Sequence, residues 1–220
     1  ILALPFPHFR IPFHRPLELR VDVDPSATNR GDPLTHVYER IQTPGDQLHD
    51  LPSFGLRDPH LKVHVREVDG ERYAYVEDTL RRCLAGCTVF NRLVEVDRRA
   101  DRHLRSPHSR YLPQYQRQGI ATAVYDWALA SGICLMTGAR QSAGAHALWR
   151  NLARRYESGF AELRNKKLTY LGVDMSPGDL ERLETRMFLL PAKCTLPEFC
   201  AAVGMRILHV EWVSEGAQTH

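Results

Sequence analysis

The segment Tyr115-Gln116-Arg117-Gln118-Gly119-Ile120-Ala121-Thr122 does most to narrow the folds open to this chain, because it sets a polar, glycine-bearing turn between a strand and an amphipathic helix. Ser106 to Leu112 reads as the strand that enters the turn. Beyond it, Ile120, Val124, Trp127, Ala128 and Ser131 recur at helical spacing, so the helix is expected to bury one stripe against a sheet. Gly132 closes that helix, and Ile133-Cys134-Leu135-Met136 is a short, continuously apolar run of the kind buried on both faces. A second helix starts at Ser142, a good N-cap, and carries Ala145, Leu148, Trp149, Leu152, Ala153 and Tyr156 on one face. This strand, turn, helix, strand, helix unit predicts parallel strands joined by helical crossovers, with a ligand beyond their carboxyl ends. The first amides of a helix lack intrahelical partners and carry the positive end of the peptide dipole, which suits a diphosphate. Gly119 and Ala121 leave room for it.

The opening of the chain is different. Nine of the fourteen prolines fall before residue 60, and Pro5, Pro7, Pro12 and Pro16 exclude regular helix there. Residues 1–59 are therefore expected to form a Pro-rich arm, packed on a main domain over 60–220. Within the arm, residues 17–23 alternate apolar with charged side chains as a first strand does, and Asp32-Pro33 starts a short helix over His36 to Gln42. From Leu61 a hairpin is expected: Leu61, Val63 and Val65 alternate with polar residues, and Asp69-Gly70 turns the chain into Tyr73-Ala74-Tyr75-Val76. Cys87 to Val96 reads as a further strand and Arg98 to Arg105 as a charged connection. Later, Lys167 to Val173 is expected as a strand, Pro177 to Arg186 as a helix, Leu196 to Val203 as a helix and Met205 to Val213 as a last strand. The expected class is α+β, with a mixed, mostly antiparallel sheet flanked by helices.

Composition excludes some functions. No window approaches the roughly 20 apolar residues of a membrane helix, so no membrane partner is expected. The five cysteines are odd in number and scattered, which points to a reducing compartment, the cytoplasm by default. Cys83 and Cys87 are four apart and would share a face of a short helix, yet no second Cys or His pair completes a metal site. Charge is uneven: residues 81–167 hold sixteen Lys/Arg against six Asp/Glu, so a basic middle is flanked by acidic ends. Nucleotide phosphates and nucleic acid both suit such a segment. No nucleic-acid reader motif accompanies it, and the arginines are not interleaved with a regular aromatic platform.

The residues from Arg110 to Leu152 resemble the GNAT superfamily of acyl-CoA-dependent N-acyltransferases. In that family Arg/Gln-x-x-Gly-x-Gly/Ala links a strand to a helix and binds the pyrophosphate of the carrier, and Gln116-Arg117-Gln118-Gly119-Ile120-Ala121 fits it at every defined position. The resemblance extends over about residues 60 to 175. It implies acetyl-CoA or another acyl-CoA as cosubstrate, with Gln116, Arg117, Gln118, Gly119, Ile120, Ala121 and Thr122 around the pyrophosphate. It also implies Tyr111 and Leu112 beside the pantetheine arm, and Ser142 where the family often has a carrier-contacting Asn. The fold implied is GNAT-like, and the activity is transfer of an acetyl or short acyl group to an amine, small molecule or protein.

The resemblance departs at one catalytic position: Trp149 stands where many members carry a tyrosine that protonates the departing thiolate, and indole has no accessible acid. Tyr156, on the same helical face, is about 10 Å further along by the usual rise. For the base, the candidates are His108, Glu95 and His146; imidazole suits proton uptake near neutrality, and His108 lies on the strand entering the turn. Glu95 and His146 are expected on solvated faces. Two alternatives stand beside the enzyme: a catalytically inert CoA-binding or scaffold protein of the same fold, which Trp149 favours, and a basic nucleic-acid-binding protein. The Pro-rich arm has three readings, as a pocket cover, a contact in a homodimer or a partner segment.

Overall fold

Alternating apolar and polar residues build the first half of the sheet. In the computed structural model, which describes residues 33–180 and 182–207, strands β1 (Ser53–Gly55), β2 (Leu61–Val68), β3 (Glu71–Asp78), β4 (Cys83–Arg92) and β5 (Leu104–Tyr111) form an antiparallel meander. β2 and β3 pair from Leu61↔Asp78 to Val68↔Glu71, and the two residues between them, Asp69 and Gly70, have φ of 53° and 76°. That is the left-handed pair a tight hairpin requires. The candidate strand at residues 17–23 lies outside the described residues.

β4 differs from its expected span: it starts at Cys83 and ends at Arg92. The helix α2 (Arg98–Asp101) accounts for the early end. The Asp97 carboxylate caps it by accepting the N–H groups of Arg99 and Ala100, while the buried Asp101 carboxylate accepts Leu93 N–H at 3.0 Å and Arg92 Nε at 2.8 Å. The charged stretch is thus an ordered corner, with Asp101 balancing the arginine beside it. Cys83 and Cys87 lie on β4 and not on a helix.

After β5 come α3 (Ile120–Ala130), β6 (Cys134–Met136), α4 (Ala143–Leu152), β7 (Ser158–Arg164), β8 (Lys167–Gly172), α5 (Pro177–Leu180), β9 (Thr185–Leu189), α6 (Leu196–Val203) and β10 (Arg206–Ile207). The sheet order is β1-β2-β3-β4-β5-β6-β9-β7-β8-β10, with only β5–β6 and β8–β10 parallel. The sheet is mixed, mostly antiparallel and flanked by helices, as expected. α3 and α4 cover one face through Ile120, Val124, Tyr125, Ala128, Trp149 and Leu152; α1 (Pro33–Gln42), α2 and α6 cover the other. The buried stripe of α3 is centred on Tyr125 and Leu129 as well as Val124 and Ala128, so Ser131 is exposed.

Two corrections fall late in the chain. The helix expected over Pro177 to Arg186 lasts one turn, and β9 takes the second half, with Met187 and Leu189 facing one core and Phe188 and Leu190 the other. β7, which had no sequence signal, supplies small buried positions, Gly159 and Ala161. Of the strand expected over Met205 to Val213, β10 is the described part; residues 208–213 lie outside it. Among the described residues no helix is long and apolar enough to cross a membrane.

β5 and β6 diverge. They pair only at Leu104↔Cys134 and Arg105↔Leu135; beyond that β5 stays with β4 as far as Gly86↔Tyr111, while β6 turns to β9 through Met136↔Phe188. A strand residue aims its N–H and C=O at the same neighbour, and the aim alternates. Leu112 N–H bonds Ala85 C=O at 2.9 Å on the β4 side, so residues 105, 107, 109 and 111 face β6. The next donor toward β6 after Arg105 falls to Pro107, which has no N–H. The pairing stops there.

β4 carries a bulge where β5 leaves the sheet: Glu77 pairs Leu84 and Val76 pairs Gly86, with Ala85 as the extra residue. A Cβ on Gly86 would lie 2.4 Å from both Arg110 O and Tyr111 Cδ1. Gly86→Ala is therefore expected to destabilise the fold by about 1–3 kcal/mol through overpacking, measured by chemical denaturation.

Candidate active site

The chain leaves β5 through a 3-10 turn, Pro113–Tyr115, closed by Tyr115 N–H on Leu112 C=O at 2.9 Å. Two left-handed residues follow, Arg117 at φ 60° and Gly119 at φ 78°. The side chains of the turn are spent on the turn itself. Gln116 Nε2 donates to Tyr111 C=O at 2.9 Å, and Gln118 Nε2 donates to Gln114 C=O at 2.5 Å. Gln116 and Gln118 thus shape the loop through their side chains, leaving main-chain groups for a ligand.

Those groups are open. The first helical bond of α3 runs from Ala123 N–H to Gly119 C=O at 3.0 Å, so the amides of Ile120, Ala121 and Thr122 precede any intrahelical acceptor, and no side chain caps them. Among the described residues nothing lies within 4 Å of where a Gly119 Cβ would be, and residues 116–119 are exposed. Arg117 adds a cation beside the positive helix end. On the diverging edge, strand alternation directs the N–H of Ser109 and Tyr111 and the C=O of Ser109 toward the gap left by β6. Both main-chain groups of Leu112 have partners in the protein, its N–H on Ala85 C=O and its C=O on Tyr115 N–H.

An extended strand, a glycine turn with open helix amides, a crossover helix, a short parallel strand splayed from the first, and a second helix occur here in one continuous run. This is the element order expected from the sequence. No family model and no curated relative matches the chain. Among solved structures, a chimera of spermidine N-acetyltransferase from Vibrio cholerae is similar at 20% identity over 57% of this chain and 69% of that one, TM-score 0.33. A ribosomal-protein-S5-alanine acetyltransferase from Vibrio fischeri is similar at 12% identity over 64% of this chain and 98% of that one, TM-score 0.38. Spermidine N-acetyltransferase from Vibrio cholerae with CoA and spermine is similar at 19% identity over 57% and 68%, TM-score 0.33.

Within this frame the side chains singled out from the sequence separate. His108 is exposed on β5, opposite Val89, with Nδ1 3.0 Å from Asn91 Nδ2. Glu95 lies in the turn past the far end of β4, about 20 Å along the strand from Tyr111 by the usual rise, and its carboxylate accepts Arg186 Nη2 at 3.0 Å. Tyr156 follows the end of α4, half-buried beneath the Arg155 guanidinium at 5.7 Å; burial and the neighbouring Asp126 carboxylate raise its pKa. Ser142 caps α4, its Oγ accepting Ala145 N–H at 3.2 Å, and His146 is exposed on the first turns of that helix. Trp149 is buried between α3 and α4, edge-on to Tyr125 with ring centres 6.2 Å apart. Of His108, Glu95, His146 and Tyr156, His108 alone lies on the splayed strand.

Sequence reasoning missed what anchors the loop from below. The Tyr115 hydroxyl donates to Asp78 Oδ2 at 2.7 Å, and Asp78 also accepts Arg81 N–H and Arg81 Nη1, each at 2.8 Å. The Arg81 guanidinium sits 5.8 Å over the Tyr115 ring. Burial opposes ionisation of Asp78, but the Arg81 N–H, the Tyr115 hydroxyl and the Arg81 guanidinium outweigh it and hold the carboxyl at about 2. An unfolded Asp titrates near 3.9, so the stability from this depressed pKa is present above about pH 4 and is lost as pH falls toward 2. Asp78→Asn is expected to unfold more easily than wild type at pH 6–7, with the difference narrowing below pH 4 in urea titrations at each pH.

Proposed function

We propose that this chain is an N-acyltransferase that moves an acetyl or other short acyl group from acyl-CoA directly to an amine. The observation that carries the reading is the divergence of β5 from β6 with unpaired helix amides at its mouth. A cofactor's pyrophosphate fits the amides of Ile120, Ala121 and Thr122, with Arg117 beside it. The pantetheine arm enters between β5 and β6 as an added strand, using the C=O of Ser109 and the N–H of Tyr111.

Because residue 107 is proline, Ser109 N–H is the first donor past the vertex of the splay. It is placed to stabilise the negative charge that develops on the acyl oxygen. His108, the adjacent residue, takes the proton of the attacking amine directly or through water. Glu95 is withdrawn by Arg186, and Tyr156 is held against α3 and α4. Most of the barrier reduction comes from holding amine and thioester together. The acceptor is an amine, of a small molecule or of a protein.

Trp149 supports a second reading, a GNAT-like protein that binds CoA without turnover, since a buried indole supplies no proton. Thiol release from acetyl-CoA with a panel of amines separates the two. Calorimetry is expected to show acetyl-CoA binding that Gly119→Glu abolishes while circular dichroism stays that of wild type, because the new carboxylate faces the helix amides. Unchanged affinity in that variant would remove the site. His108→Ala is expected to lower turnover about 100-fold or more with near-normal acetyl-CoA affinity.

A further inference from the structure

A chain of hydroxyls runs from the splayed edge into the core beneath α3. Thr88 Oγ1 on β4 lies 2.8 Å from Ser109 Oγ and 3.0 Å from the Tyr111 hydroxyl, and Ser109 Oγ donates to the Tyr125 hydroxyl at 3.4 Å. Thr88 and Tyr125 are buried, whereas Ser109 is exposed. The edge of Trp149 against Tyr125 holds the phenol toward β5. Desolvation pushes the Tyr125 hydroxyl up to about 12, so it carries its proton at neutral pH. The four hydroxyls are joined in one line, and Ser109 is the exposed residue among them.

We infer that Ser109, backed by Tyr125, gives the departing sulfur its proton, which replaces the acid that Trp149 lacks. The inference rests on the acyl-transfer reading above. Ser109 N–H faces the acyl oxygen in that reading, and the sulfur is one covalent bond from the same carbon, so the Ser109 side chain is the nearest hydroxyl to it. The amine nitrogen bonds to the acyl carbon, and the carbon–sulfur bond breaks with its electron pair on sulfur. Sulfur takes the Ser109 hydroxyl proton while Ser109 takes that of Tyr125, both rotors being free to turn. Water at exposed Ser109 returns a proton to Tyr125 after the products leave. The amine's proton passes through His108 to solvent, so one proton enters and one departs. Ser109 is the catalytic residue, and Tyr125 is a positioning residue that acts through it.

The test is steady-state thiol release from acetyl-CoA, with the best acceptor among spermidine, n-butylamine and a lysine-containing peptide. Tyr125→Phe and Ser109→Ala are each expected to lower kcat about 100-fold with KM for acetyl-CoA unchanged. The double variant should be no slower than the slower single, since the two act as one unit. Ser109→Thr, which keeps the hydroxyl, should recover most of the turnover. A Tyr125→Phe protein with wild-type kcat overturns the inference, as does Ser109→Thr being as slow as Ser109→Ala. A wild-type protein that neither binds acetyl-CoA nor releases thiol with any of these amines removes the transfer reading itself and the inference with it.

Discussion

The rest of the structure depends on one missing hydrogen bond. A parallel ladder between β5 and β6 would continue past Arg105 if residue 107 could donate, and Pro107 cannot. β6 meanwhile stays with β9 on its other edge, where Thr137 N–H bonds Met187 C=O at 2.9 Å, while the bulge at Ala85 and the bare Gly86 keep β5 on β4. A continuous sheet is thus opened at its centre without leaving a ragged edge, because each diverging strand retains a full partner on its outer side. Backbone donors inside a sheet are ordinarily consumed. Here those of Ser109 and Tyr111 are presented to whatever enters the gap.

An anion site made of amides works only if the turn that carries them is fixed. The local sequence supplies part of that rigidity, through Gln116 and Gln118 on the carbonyls of Tyr111 and Gln114. The remainder comes from the β3–β4 corner: Asp78 fastens Tyr115, and Arg81 neutralises the carboxylate and covers the ring. A carboxylate this close to an anion site would repel a diphosphate if it were uncompensated. Its charge is instead taken up by Arg81, and the turn itself carries the exposed Arg117.

What was legible in the sequence follows from the range of the interactions. The Asp69-Gly70 hairpin and the strand, glycine turn, helix unit are written in local periodicity and in residues with special φ, so both could be read directly. Tyr115 and Asp78 are 37 residues apart, and no local pattern joins them. β9 was misread because Arg186, with its side chain 6% exposed and paired to Glu95, puts a charge where a buried strand is expected to be apolar. β7 was missed because its inward positions begin with Gly159 and Ala161, which lend no apolar signal although Phe188 packs among them. The same limit applied to the site. The backbone donors were readable from the turn, while the fates of Glu95 and Tyr156 were set by Arg186 and Asp126, partners outside any local window.

Strand alternation also gives the site its sidedness. Consecutive residues of β5 point to opposite faces, so His108 looks toward the α1, α2 and α6 side while Ser109 looks toward α3, where Thr88 and Tyr125 wait. Direct transfer needs a base where the amine arrives and an acid where the thiol departs, and these must not neutralise each other. In the proposed transfer, two adjacent residues on one strand satisfy that condition because the sheet itself stands between them. The buried Trp149 belongs to the same side of the sheet: its indole packs edge-on against the Tyr125 phenol, whose hydroxyl accepts from Ser109 Oγ.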